Sequence, residues 1–361
     1  MGWLTPDALL TILTWVLGIL FVQFLLMLAG GGWLQLRQKR WNERRIACHQ
    51  KWEQDIVHYL YGSEHDISCF GVLTSEERHF FIPFLLRVLG TLAGSEGEAV
   101  RDLYHRMALF TGVGQRLHSR RPKLRAMAAL EVGSFQVEIH YDRLQELLAD
   151  PVPHVAHAAA RGLGNTQRLA YAEPVLRWVL HQEVFQQERL IWILESFGAE
   201  FMRWLEARLD ASQESDLQER MIYAQLAAST RRVEEPSRLI AMLDTGDVEA
   251  ESAAIKALGA LGSPEALPYV LPRATHPSWV IRAQVAKAIG ILAGPKAIPA
   301  LLELICDPRF EVRRNAAQAL SHLGAAGVKV LREMAEDPLA DPFARDLARE
   351  RLQWVDTAGA S

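Results

Sequence analysis

The sequence predicts an all-α fold in which paired helices stack into a solenoid, preceded by a single membrane-spanning helix. Two observations predict it. Near the C-terminus, small and apolar residues recur with a spacing of 31, as in Ala257, Ala288 and Ala319, and such a period is typical of one supersecondary unit copied along a chain. From Ala8 to Leu36, 29 consecutive residues carry no charged side chain, which exceeds the roughly 20 residues that a helix needs to cross a bilayer.

Each period of 31 holds two helices, because turn residues recur within it. An alanine-rich run from Val280 to Leu292 ends at Gly294-Pro295, and a second apolar run from Ala297 to Ile305 ends at Asp307-Pro308. Proline lacks a backbone N–H and disfavours helix in the residue before it, while glycine favours the left-handed cap. These pairs are therefore predicted to end one helix and start the next.

The best-defined copy runs from Asp307 to Leu320 and reads Asp-Pro-Arg-Phe-Glu-Val-Arg-Arg-Asn-Ala-Ala-Gln-Ala-Leu. It resembles the second helix of HEAT repeats, which typically reads Asp-Pro-x-x-x-Val-Arg-x-x-Ala-x-x-Ala-Leu-Gly, and departs from it only at Ser321. Weaker copies lie at Pro122 to Gly133 and at Asp150 to Gly164. The resemblance implies a right-handed α-solenoid, but it says little about activity, because one scaffold hosts many functions.

The same resemblance implies a structural role for a row of arginines. Arg282 and Arg313 occupy one position in consecutive copies, and Arg125 continues the row. In HEAT-like arrays this arginine ties a helix start to an acidic turn residue of a neighbouring copy, for which Asp307 and Asp337 are the candidates. The alternative is a positive stripe that binds an acidic partner. In the copy before Arg282, a glutamate, Glu251, stands at the arginine position.

Polar residues on the same helices predict a partner-binding surface on the concave side of the solenoid. Lys256, Lys287 and Gln318 share one register, and Gln284 and Asn315 share another. The alternative is an ordinary solvated face, since surface polar groups need no special explanation.

The apolar N-terminal run is predicted to be a retained anchor and not a cleaved signal peptide, because Met1 to Asp7 has no lysine or arginine and the run is much longer than a signal core. Trp3 and Trp33 flank it as interface anchors, and Gln23 is placed to hydrogen-bond a partner helix. A basic cluster follows the run and is predicted to contact anionic lipid: Arg37, Lys39, Arg40, Arg44 and Arg45. Positive charge stays in the cytoplasm, so the N-terminus is predicted outside the inner membrane and the solenoid inside.

The predicted organisation has five parts. They are an anchor with a short extracytoplasmic start (1–36), a basic juxtamembrane segment (37–45), a helical capping or divergent region (46–119), HEAT-like repeats (120–355) and a flexible C-terminus (356–361).

Catalytic and cofactor motifs are not evident in the sequence. It has no Gly-x-Ser-x-Gly, no phosphate-binding glycine loop and no His-Glu-x-x-His. His154 and His157 lie three apart on one predicted helix, but nothing nearby completes a metal site. We expect no enzyme activity, no cofactor and no metal.

Charge argues against nucleic acid. Of the 39 lysines and arginines and the 43 acidic residues, five and two respectively lie before residue 46, which leaves a net charge of −7 on the rest. A phosphate-binding surface normally shows a basic excess.

The predicted function is a membrane-tethered cytoplasmic scaffold that binds a protein partner, and bacterial membrane-anchored HEAT proteins beside envelope or polysaccharide machinery are the nearest analogy. The alternative is a chromophore-handling protein, because some HEAT-like proteins resemble bilin lyases. The sequence leaves the oligomeric state open.

Overall fold

The computed structural model describes residues 6–62, 66–92, 94–211, 217–231 and 236–358. These residues form α-helices and short 3-10 turns, with no β-strand among them. The helices are α1 Pro6–Tyr61, α2 Ser75–Leu89, α3 Ser95–Arg106, α4 Val113–Leu117, α5 Pro122–Ser134, α6 Tyr141–Glu146, α7 Pro153–Asn165, α8 Ala172–Leu180, α9 Val184–Glu195, α10 Ala199–Ala211, α11 Leu217–Thr230, α12 Ser237–Ala241, α13 Val248–Leu261, α14 Leu267–Val270, α15 Trp279–Ala293, α16 Ile298–Leu304, α17 Phe310–His322, α18 Gly324–Glu336 and α19 Pro342–Ala358.

The chain forms two compact units. The first holds Met1–Ser119 with Ser134–Glu138, and the second holds Arg120–Gly133 with Ile139–Ser361.

In the first unit, helices α2 and α3 pack against the C-terminal half of α1 around an aromatic core. The ring of Trp52 meets Phe81 edge-on at 4.8 Å, and Phe81 in turn contacts Phe70 at 5.4 Å. Helix α2 starts at a capping box, in which Thr74 Oγ1 accepts from Glu77 N and the Glu77 carboxylate accepts from Thr74 N. Such a box satisfies two N–H groups that a helix start leaves without partners.

Helix α1 is longer than the sequence indicates. The predicted anchor, the basic segment and the first helix of the region after residue 46 are one continuous helix of 56 residues. None of the boundaries expected between them is a break in the backbone, because no proline or glycine cap stands between Leu36 and Tyr61.

The second unit is a succession of helix pairs. In each pair a shorter first helix packs against the helix that follows it, from α6 with α7 to α18 with α19. The second helices also pack side by side, α9 on α11, α11 on α13, and onward through α15, α17 and α19. Stacking of this kind buries one apolar face of every repeat against its neighbours, as in an α-solenoid.

Small residues let these second helices approach closely. A Cβ atom on Gly133 would lie 2.0 Å from the carbonyl oxygen of Gly162, and one on Gly259 would lie 2.9 Å from the Cβ of Ala288. The contact between Gly290 and Ala319 repeats the second of these at 3.1 Å. The alanines and glycines with period 31 are therefore the seam between repeats.

One stretch of the described residues, Trp279–Leu304, is long and apolar enough to cross a bilayer by length and composition. In the structure it is two helices, α15 and α16, separated at Gly294-Pro295 and packed on each other. Many of its apolar side chains, among them Ile281, Val285 and Leu301, are buried within the repeats, while Trp279 and Ile291 are exposed. The high hydropathy of this stretch is therefore explained by its place in the core of the repeats.

The last helix, α19, extends to Ala358, past the end of the predicted repeats at residue 355.

Candidate partner-binding surface

Three of the polar residues predicted to bind a partner lie on the exposed side of adjacent second helices. Lys256 on α13, Lys287 on α15 and Gln318 on α17 are all exposed. Each is surrounded along its helix by buried positions, so the side chain at this register points away from the seam. We call these residues, with their equivalents on other second helices, the central row.

The second predicted register is not a surface row. Gln284 is half-buried, and Asn315 is only 5% exposed. The Asn315 amide donates a hydrogen bond of 3.0 Å to the carbonyl oxygen of Ala283 on α15. A buried amide needs such a partner, so Asn315 joins two repeats and the prediction that it contacts a partner protein is corrected.

The central row continues on α9 and α11, beyond the three predicted residues. A groove of about 370 Å³ crosses α9, α11 and α13, and it is lined by Trp192, Glu195, Gln225, Ser229 and Lys256 among others. Trp192 and Gln225 hold the row position on α9 and α11. The step of 31 from Gln225 to Lys256 was a usable signal, but residues 183 to 232 keep almost none of the motif.

The arginine row binds the repeats together at two places with the same geometry. Arg282 donates from Nε and Nη2 to the two carboxylate oxygens of Asp307 at 2.6 and 3.1 Å. Arg125 makes the same two-point pair with Asp150 at 2.8 and 2.9 Å. All four side chains are at most 14% exposed. Paired hydrogen bonds between charged groups are stronger than neutral ones.

These pairs shift the pKa of both carboxyls downward. For Asp150, the hydrogen bonds from Arg125 lower the pKa and outweigh the opposing effect of burial. For Asp307, burial acts to raise the pKa, but the hydrogen bonds from Arg282 and from the N–H of Arg309 together lower it. Both aspartates therefore stay ionised in the folded protein at neutral pH.

Arg313 and Asp337 do not repeat this pair, and no ion pair joins them within the described chain. Arg313 donates to the carbonyl oxygens of Asp307 and Pro308, and its guanidinium lies 4.9 Å from the ring centroid of Phe343. Asp337 is exposed, and among the hydrogen bonds observed its carboxylate accepts only the local N–H of Leu339. The predicted role of Asp337 as a partner of the arginine row is therefore corrected.

The copy before Arg282 carries a similar contact with the acidic and the basic residue in exchanged positions. Glu251 stands at the arginine position and His276 at the aspartate position, and Glu251 Oε2 lies 3.8 Å from His276 Nε2. His276 Nδ1 accepts from the N–H of Ser278, as Asp307 accepts from that of Arg309. Arg273 Nε lies 4.0 Å from the same Glu251 oxygen. The buried Glu251, 7% exposed at its side chain, thus faces two basic groups.

The comparison with known families decides what these repeats are. The family model described as HEAT repeats matches residues 236–321 and 268–353, the part of the chain in which the 31-residue spacing and the Arg282–Asp307 pair lie. Residues 236–353 are HEAT repeats, and a stack of such repeats has the fold of a protein-interaction scaffold.

Solved structures resemble the chain only distantly, and none of the curated proteins compared with it matches. Kap121p bound to RanGTP has a TM-score of 0.42 and 12% identity, covering 82% of this chain and 40% of that one. Human deoxyhypusine hydroxylase has a TM-score of 0.29 and 17% identity, and the match covers 86% of this chain and 98% of that one. The complex of CpcE and CpcF of the phycocyanin lyase from Nostoc sp. PCC7120 has a TM-score of 0.28 and 19% identity, and the match covers 67% of this chain and 93% of that one. Likenesses of this size carry no argument about function, so the chromophore-handling alternative stays a prediction.

The two histidines considered as a metal pair have local roles. His157 Nδ1 lies 2.7 Å from the carbonyl oxygen of Pro153, and its ring meets that of Trp178 edge-on. His154 is exposed. Within the described ranges, no group of three or more histidine, cysteine, aspartate or glutamate side chains is placed to hold a metal ion.

The predicted anchor residues lie on α1, except Trp3, which is outside the described residues. Gln23 and Trp33 are exposed. The guanidinium of Arg37 lies 5.4 Å from the ring centroid of Trp33, and that of Arg45 lies 5.5 Å from the ring centroid of Trp41. Arg44 Nη1 lies 3.4 Å from Glu76 Oε2. Lys39 and Arg40 are exposed.

Proposed function

We propose that this protein is a membrane-tethered scaffold: α1 anchors it in the inner membrane, and its HEAT repeats bind a protein partner along the central row. The observation that carries the proposal is the exposed apolar surface of α1.

Apolar side chains are exposed all around the N-terminal part of this helix. From Trp15 to Trp33, every side chain described is exposed, with Trp15 at 73% and Met27 at 79%. The other large ones are Leu17, Leu20, Phe21, Phe24 and Leu26. Successive residues of a helix are turned by 100°, so these exposed apolar positions lie on all sides of it. A helix that packs on a protein core instead exposes only one face, and that face is polar. Burying each such side chain stabilises by about 1.5–3 kcal/mol, and lipid surrounds a helix from every side.

The charge after the apolar run supports an orientation. All the basic residues near the anchor follow it, beginning at Arg37, while Asp7 is the charged residue before it. The arginine–tryptophan contacts of Arg37 and Arg45 combine a headgroup-binding cation with an aromatic ring that favours the interface. This arrangement supports an N-terminus outside the cytoplasm, with the repeats on the cytoplasmic side.

Tethering has a mechanistic consequence that needs no covalent chemistry in this chain. A binding surface held at the bilayer meets a partner in the same membrane at a high effective concentration. A weak contact along the central row can then hold a partner that would dissociate in solution.

Fractionation of cells that make the full chain tests the anchor. We expect the protein to remain with the membranes after extraction at high pH, and a variant that lacks residues 6–36 to become soluble. A variant with glutamine at the five basic positions of 37–45 is the control, and it should stay in the membrane fraction. Release of the full chain by high pH would contradict the anchor.

Photo-crosslinking in cells tests the partner. A photoreactive residue at position 287 should capture a protein of one defined size, and the same residue at Lys329 should not. Lys329 is a suitable control, because it is exposed but lies on α18, away from the central row. Equal products at both positions, or none at either, would contradict partner binding by the row.

A further inference from the structure

The central row runs across six adjacent second helices, from α7 to α17. On each helix, the row position is the one that interrupts a shared pattern of buried residues. Successive members of the row are 31, 33, 31, 31 and 31 residues apart in sequence. The members are Arg161, Trp192, Gln225, Lys256, Lys287 and Gln318.

The contacts show that the first four members lie on one continuous face. The guanidinium of Arg161 lies 5.1 Å from the ring centroid of Trp192. Trp192, Gln225 and Lys256 line the same groove. Helix α13 then packs on α15, and α15 on α17, so Lys287 and Gln318 extend the line.

The charge of this face is opposite in sign to that of the chain. The row has three cations and no carboxylate, although the whole chain has a net charge of −4. Within one helical turn of the row on α9, α11, α13, α15 and α17, the sequence has two carboxylates, Glu188 and Glu195, and two further cations, Arg189 and Arg314. The row and its surroundings therefore keep a basic excess. Such a local excess favours a negatively charged ligand.

One polar atom in the groove lacks a partner. The Gln225 Oε1 atom is buried and accepts no hydrogen bond from the described residues. A buried acceptor without a donor is unfavourable by about 1–3 kcal/mol. When the Gln225 amide turns so that Oε1 reaches the groove that this side chain lines, a polypeptide backbone N–H supplies that donor, whereas a nucleic acid backbone has none.

We propose that the central row binds an extended acidic segment of the partner protein, with Gln225 accepting a main-chain N–H and Lys256 and Lys287 binding its carboxylates. This inference rests on the proposed function and specifies the partner. Trp192 is 45% exposed beneath Arg161, so an apolar side chain of the segment can pack on its indole ring.

The spacing of the helices predicts the pattern of the segment. Packed helices lie about 8–10 Å apart, and an extended chain advances about 3.3 Å per residue. Successive members of the row therefore meet every third residue of the segment. Carboxylates three residues apart should contact Lys256 and Lys287, and a third, about nine residues from the Lys256 contact, should reach Arg161.

Binding of synthetic peptides to the full chain in detergent tests the proposal. The probe is a fluorescent peptide of about 15 residues with glutamate at every third position, and the comparison peptide has the same composition with its glutamates in one block. We expect the spaced peptide to bind more tightly, and K256E/K287E to weaken it by about tenfold or more. The matched variant K329E should leave the affinity unchanged. Since these side chains are exposed, circular dichroism should show that all variants fold.

A second variant tests the backbone contact. Q225L removes the acceptor without a change of charge, so it should weaken the spaced peptide and a neutral glutamine version of it by the same factor. Three results would overturn the assigned contacts: a loss of affinity with K329E equal to that with K256E/K287E, equal affinity for the two acidic peptides, or an unchanged affinity with Q225L. Tighter binding of a single-stranded oligonucleotide than of the spaced peptide would identify a phosphate ligand instead. A partner captured at position 287 without any peptide binding would overturn this inference alone, because the proposed function fails only when that capture fails.

Discussion

Arg282 and Asp307 form a two-point ion pair between neighbouring repeats, and Arg125 and Asp150 form the same pair with the same separation of 25 residues. The two pairs lie far apart in sequence, yet their distances and burial nearly coincide. The pair is therefore a property of the repeat unit.

The first prediction concerns the loss of one carboxylate. Asp307→Asn leaves the largely buried Arg282 guanidinium without its counter-charge, and we expect a local destabilisation of about 3 kcal/mol. Hydrogen exchange of α15 and α17 should become roughly a hundredfold faster. Asp337→Asn is the matched control, since Asp337 is exposed and its carboxylate accepts only a local N–H. Equal effects of the two changes would show that the ion pair contributes little.

The second prediction concerns acid. The folded-state pKa of Asp150 and of Asp307 lies below the ordinary value, so the unfolded chain binds more protons in acid. The stabilisation is fully present above the ordinary pKa of aspartate, about 3.9, and is lost as the pH falls through the lower folded-state values. We expect the melting temperature to fall below about pH 4. The D150N/D307N variant should melt lower at pH 7 and fall less steeply in acid, and a parallel fall in both proteins would argue against these two groups.

The third prediction concerns Glu251 and His276, the acidic and the basic residue in exchanged positions. Glu251→Arg places a second cation beside Arg273, and His276→Asp places two carboxylates face to face, so each single change should destabilise the protein. The double variant E251R/H276D recreates the Arg282–Asp307 pair and should recover at least about 1 kcal/mol of coupling. A double-mutant cycle by thermal denaturation measures it. Additive losses would show that the two positions do not interact.

The fourth prediction concerns the close approach of helices α5 and α7. Gly133→Ala would place a Cβ 2.0 Å from the Gly162 carbonyl oxygen. Because the Cβ is fixed to one backbone and the oxygen belongs to another, the helices must separate. We expect a loss of about 3 kcal/mol or more in the stability of this part of the array. Gly290→Ala, with its nearest contact at 3.1 Å, should cost less.

Gly31→Ala is the control for this series, because an added Cβ there meets nothing within 4 Å. The melting temperatures should fall in the order Gly31→Ala, Gly290→Ala, Gly133→Ala. A Gly133→Ala protein as stable as the parent would mean that the repeats can slide apart without loss.

Much of the fold could be predicted from local patterns. The glycine and proline positions at 294–295 and 307–308 predicted where α15 and α16 end, because their backbone limits act within one or two residues. The 31-residue spacing predicted the seam, since Gly259, Gly290 and their alanine contacts depend on one repeated geometry. The length of α1 could not be read in this way, because a helix continues through a polar segment when nothing stops it.

The candidate site was less accessible to sequence reasoning. Gln318 and Asn315 are both polar residues on α17, three residues apart, yet one is exposed and the other is buried against Ala283. The difference depends on which side of α17 faces α15, and this is decided by packing. Trp192 and Gln225 were not predicted, because their repeats have lost the motif although the same positions are buried.

The sequence by itself determined the repeat, its two helices, its turns and the long uncharged run near the N-terminus, because all of these follow from backbone limits and hydropathy that act over a few residues. Only the tertiary structure decided which charged groups meet: Arg282 with Asp307, Arg313 with backbone carbonyls, and Glu251 with His276. The physical reason is that an ion pair depends on angles and distances between separate helices. A shift of an ångström or two in packing changes the partner while leaving the pattern of the sequence untouched.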